Sequence, residues 1–97
     1  MNCTAKGARR ERQAKRLLET TGFHVVKAGG SLGLFDLVAL GSDGCKLVQV
    51  KSNEKPRPAE RVRLEAFVCP PYAQTELWIF IDRQKRPVIE VLERKKA

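Results

Sequence analysis

A chain of 97 residues, 42% hydrophobic and 31% charged, predicts one domain over 1–97 with one modest core and no apolar surplus. Nineteen Lys and Arg against eleven Asp and Glu give a net charge of +8, and no apolar run reaches membrane-spanning length. Three widely spaced cysteines without a CxxC pair, a single histidine and no signal-peptide pattern argue against zinc and for an intracellular, reducing setting.

The charge is unevenly placed. Residues 1–27 hold seven basic and two acidic groups and residues 83–97 hold six and two, whereas residues 28–82 hold six and seven. A basic segment at each side of a near-neutral centre suits a polyanion, with nucleic acid the first candidate. The plain alternative is a surplus that only serves solubility.

The first predicted element is a helix over 5–21, AKGARRERQAKRLLETT, closed by Gly22. At about 100° per residue, Ala14, Leu17 and Leu18 share one face and Arg9, Arg12 and Arg16 another. Glu11 lies within about 20° of Leu18, at the edge of the buried face. A surface Glu11–Lys15 pair is the simple alternative for that acid. FHVVKA (23–28) is a β-branched strand, followed by the loop GGSLG (29–33). His24 is given no role.

FDLVALGSDGCKLVQVKSN (35–53) reads as a hairpin around SDG. A loop from Gly41 to Gly44 pairs Leu40 with Cys45; a tighter turn pairs Ser42 with Cys45. Pro56 and Pro58 then break the chain, and AERVRLEAF (59–67) is a short helix with a proline just before its start. CPPYAQ is a loop, ELWIFID (76–82) a buried strand, RQKR a turn, PVIEVLE (87–93) a last strand and 94–97 a basic tail. Trp78 and Phe80 alternate with Leu77, Ile79 and Ile81, so both faces of their strand are apolar and packing is favoured over base stacking. The order α-β-β-β-α-β-β predicts an α/β fold with a mixed β-sheet flanked by helices.

Asp36, Gln49 and Lys51 interrupt the apolar arms of the hairpin. Either register places Asp36 opposite residues 49 to 51, and strand alternation puts Gln49 and Lys51 on one face. Cross-strand neighbours lie about 4.5–5.5 Å apart, so an acid, an amide and an amine gather in one place. Buried without partners they destabilise the sheet, and as a structural Asp36–Lys51 ion pair they add little over valines. A functional reading is therefore favoured. Carboxylate and carbonyl oxygens suit Mg²⁺, and a lysine beside them can orient or deprotonate a water and offset phosphorane charge.

Taken together, the helix acid, the D of LFDLVAL and the K of LVQVKSN resemble the PD-(D/E)xK nuclease superfamily. The opening KGARRERQAKRLLETTGFHVVKAGGS is similar, more narrowly, to the archaeal-type Holliday junction resolvases, which also occur in viruses. The similarity runs from about Lys6 to Ser52 and weakens afterwards. It implies a restriction-endonuclease-like fold and a homodimer that introduces paired, metal-dependent nicks across a four-way DNA junction. By position it makes Glu11 the helix acid, Ser31 the loop serine near the scissile phosphate, Asp36 the metal-binding aspartate and Lys51 the catalytic lysine. The Val50 carbonyl is implied as a further ligand of Mg²⁺, for which Mn²⁺ substitutes.

Gln49 departs from the family, which usually has glutamate there. The amide oxygen can still meet a cation, but one negative charge is lost. Lys6, Arg9, Arg10, Arg12, Lys27, Ser31, Lys55 and Arg57 are the expected DNA contacts. Two alternatives stand beside the resolvase: a flap- or nick-directed nuclease of the same superfamily, and a catalytically silent module that binds branched DNA.

Overall fold

The computed structural model describes residues 3–28 and 34–92, with side chains described from Gly7 onward. The expected loop 29–33, which contains Ser31, and the expected tail 94–97 lie outside the described residues, as does the side chain of Lys6. The elements are α1 (Cys3–Thr20), β1 (His24–Lys27), β2 (Leu37–Gly41), β3 (Gly44–Ser52), α2 (Pro58–Ala66), β4 (Ala73–Phe80) and β5 (Val88–Val91). This is the predicted order. None of the described helices is long and apolar enough to cross a membrane.

Helix α1 is built from alanine, arginine, glutamine, lysine and leucine, all strong helix formers. It stops at Gly22, whose φ of +97° suits a residue without a Cβ. The Phe23 N–H reaches back to the Leu18 carbonyl and the Gly22 N–H to that of Glu19, a paired C-terminal cap. Phe23 then packs beside Leu18 against the sheet, which fixes the entry of β1.

The five strands lie in chain order, with β3 and β4 parallel and every other neighbouring pair antiparallel. Leu40 pairs with Cys45 and Gly41 with Gly44, the first of the two predicted hairpin registers. Gly44 has φ +146°, and a Cβ there would lie 2.3 Å from the Tyr72 carbonyl oxygen. Strand β4 starts at Ala73, three residues before its predicted start, because Ala73 and Thr75 pair with Cys45 and Leu47 and are fully buried. It ends at Phe80, whose carbonyl accepts the Asn53 N–H, and the chain then turns through Arg83 at φ +73°.

The single core expected from composition is two apolar layers, one on each face of the sheet. On one face Ala14 and Leu18 of α1 meet Val25, Leu37, Ala39, Val48, Trp78 and Phe80. On the other, Leu64 of α2 meets Phe35, Leu47, Leu77, Ile79 and Leu92. Trp78 and Phe80 are thus core residues, as their alternation predicts.

A parallel β3–β4 pair needs a crossover, and α2 is that crossover. Its proline start and an acid in its first turn favour the helix. Leu64, fully buried, anchors it to the sheet. Leu64→Ala removes that anchor and lowers stability by about 2–5 kcal/mol, read as a lower urea midpoint; an unchanged midpoint contradicts this packing.

Candidate active site

Asp36 sits one residue before β2, where the first hairpin arm leaves the regular ladder. Its backbone stays tied on both sides: its N–H donates to the Val48 carbonyl at 2.8 Å, and its carbonyl accepts the Ala28 N–H at 2.9 Å. Its carboxylate Oδ2 accepts the Val50 N–H at 2.8 Å. The side chain thus satisfies a β3 backbone donor and is held at the end of the hairpin remote from the Gly41–Gly44 turn.

Gln49 and Lys51 alternate with Val48 and Val50 along β3, and they point with Leu47 to the face covered by α2. Gln49 is 8% exposed. Its Nε2 donates to Glu60 Oε2 at 3.4 Å, a long bond, and Lys51 Nζ meets Glu60 Oε1 at 2.9 Å. The ion partner of Lys51 is therefore Glu60 of α2 rather than Asp36, the partner weighed from sequence. The sequence reading passes over Glu60. One signal was present: Glu60 stands four residues before Leu64, so both lie on the face of α2 that meets the sheet.

Glu11 projects from α1, half-buried, with Lys27 Nζ 3.5 Å from its Oε1. It lies near enough to Asp36 for the two charges to repel. The expected DNA contacts divide. Arg9, Arg12, Lys27, Lys55 and Arg57 are exposed. Arg10 is not: its side chain is 11% exposed and pairs with Asp82 at 2.7 Å. It also donates to Gln13 and lies over the Phe80 ring, with its guanidinium carbon 5.4 Å from the ring centre. Arg10 ties α1 to the end of β4.

Electrostatics single out Asp36. Burial, foremost, pushes its carboxyl above the ordinary carboxylate range; the Val50 N–H opposes this, nearby Glu11 adds to it, Lys51 opposes and Glu60 adds. The donors here, the Asp36 carboxylate with the Gln49 amide and Val50 carbonyl oxygens, are the hard oxygens that Mg²⁺ prefers. Among the described residues no three His, Cys, Asp or Glu side chains converge closely enough to hold a metal ion. The donor chemistry fits a magnesium site, with an amide where a carboxylate would otherwise count.

A mixed five-stranded sheet between two helices, with polar residues gathered at one end of its β2–β3 hairpin, defines an α/β fold with its candidate site at that end. The family model for archaeal Holliday junction resolvase (hjc) matches residues 2–66, two thirds of the sequence. The chain belongs to the Hjc family of archaeal Holliday junction resolvases. Its fold also matches the structure of Hjc from the archaeal hyperthermophile Archaeoglobus fulgidus, a Holliday junction resolvase. That match has a TM-score of 0.64 at 21% identity and covers 91% of this chain and 72% of that one. No curated protein matches.

The raised Asp36 pKa has a measurable consequence. Because the folded protein binds that proton more tightly than the unfolded chain, the charge at Asp36 destabilises the metal-free fold at neutral pH. The penalty vanishes as pH falls through the ordinary carboxylate range, where both states are protonated. Metal-free Asp36→Asn, which keeps an acceptor for Val50, therefore melts above the parent at pH 7, and the two curves converge on acidification. Equal melting temperatures at pH 7 contradict this account of the site.

Proposed function

We propose that this chain is a Mg²⁺-dependent endonuclease that cuts four-way DNA junctions by paired nicks. The observation that carries the reading is a coincidence of family and geometry. The segment matched by the Hjc family contains Asp36, pinned by Val50, and Lys51 on the paired strand of the same hairpin end.

In this reading the Asp36 carboxylate, the Gln49 amide oxygen and the Val50 carbonyl hold Mg²⁺, with Glu11 assisting. The ion, when bound, supplies Lewis acidity toward a phosphate oxygen and an acidified water. Lys51 positions the attacking water and offsets charge on the pentavalent phosphorus. Ser31 contacts the phosphate at the cleaved bond. Water adds to phosphorus and the bond to the 3′ oxygen breaks, which leaves a 5′-phosphate and a 3′-hydroxyl. Paired nicks need two sites, and a homodimer supplies them. Arg9, Arg12, Lys27, Lys55 and Arg57 neutralise backbone phosphates, so junction affinity falls steeply with salt.

One observation favours a second reading. Gln49 lowers the negative charge at the site, which suits a silent module that binds branched DNA without cutting it. Cleavage of a labelled four-way junction in Mg²⁺ separates the two. We expect symmetric paired cuts by the parent and a loss of roughly 10²–10⁴-fold in Lys51→Ala. Cuts confined to flaps, activity that appears only with Gln49→Glu, or full activity in Lys51→Ala each contradict the proposal.

A further inference from the structure

We propose that Glu60, in the first turn of α2, supplies the carboxylate that position 49 lacks and belongs to the divalent-cation site. The inference rests on the reading above and adds to it a residue from outside the segment that carries Asp36 and Lys51.

Geometry comes first. One Glu60 carboxylate touches both Gln49 and Lys51 of β3, with Oε2 bonded to Gln49 and Oε1 to Lys51. Its side chain is 24% exposed, and the buried Leu64 one turn later keeps it facing the sheet. It also lies close enough to Asp36 for their charges to repel.

Charge supplies the second argument. Asp36, Gln49 and Lys51 together carry no net charge, and Lys27 offsets Glu11 beside them, a poor environment for a dication. Glu60 brings the group to −1, the total an acid at position 49 would give. Had the role of Glu60 been only to pair with Lys51, an amide at 49 would leave the cation with a single neighbouring carboxylate from the hairpin. The parallel crossover explains how a helix residue reaches the site. α2 leaves β3 just past Lys51 and returns across the same face, so its first turn passes over the two side chains it must meet.

The test is Mn²⁺ titration of the DNA-free protein, by calorimetry and by the manganese spin-resonance signal. The proteins compared are the parent, Glu60→Gln, Gln49→Glu, the double variant and Asp36→Asn, each checked for folding by circular dichroism. Glu60→Gln should weaken Mn²⁺ binding by roughly tenfold or more, and Gln49→Glu should restore it in that background. In the parent background Gln49→Glu should gain much less. Parent-like binding by Glu60→Gln, with binding lost in Asp36→Asn, overturns the assignment of Glu60 alone. Parent-like binding by Asp36→Asn overturns the cation site itself, and with it the proposed function. If Glu60→Gln does not fold, Gln49→Glu decides: a gain below about tenfold supports Glu60, and a larger one overturns it.

Discussion

The hydrogen bond from the Val50 N–H to the Asp36 carboxylate fixes the hairpin end at which we propose the reaction takes place. It replaces a ladder bond with a side-chain bond at the point where β2 parts from β3, and so holds a half-buried acid at the end of the sheet. Burial then works against the ionised form, and Glu11 and Glu60 add to the strain while Lys51 relieves part of it. An acid kept charged in such a place is a poor choice for stability and a sound one for holding a dication. The same bond sets where Gln49 and Lys51 emerge, because they flank Val50 on β3.

The parallel β3–β4 pair is the second determinant. It forces a helical crossover over one face of the sheet, and the buried Leu64 presses that helix down. Glu60 is carried with it onto Gln49 and Lys51. The other face belongs to α1, whose Ala14 and Leu18 sit on β1, β2 and β3 and whose Glu11 lies near enough to Asp36 to repel its charge. Each helix therefore brings one acid, Glu11 or Glu60, near enough to Asp36 to repel its charge.

Much of this could be read from local pattern. The helical period of Ala14 and Leu18, the cap at Gly22 and the turn from Gly41 to Gly44 each depend on residues near one another in sequence. The sequence leaves two hairpin registers, of which the structure has the one pairing Leu40 with Cys45, but both place Asp36 opposite residues 49 to 51. The features that escaped depend on distant partners. Arg10 reads as one more exposed cation of α1, yet Asp82, 72 residues later, takes it out of solvent. The early start of β4 is decided by pairing with Cys45 and Leu47 rather than by its own composition. Glu60 looks like an ordinary first-turn acid until the crossover brings it over β3.

A crystal structure of the protein grown with Mn²⁺, with the ion located by its anomalous scattering, tests the central claim most directly. The account predicts one strong peak per chain, bonded to the Asp36 carboxylate and contacted by Gln49, the Val50 carbonyl and Glu60. A peak elsewhere with Asp36 still bonded only to Val50, or no peak at saturating Mn²⁺, contradicts it.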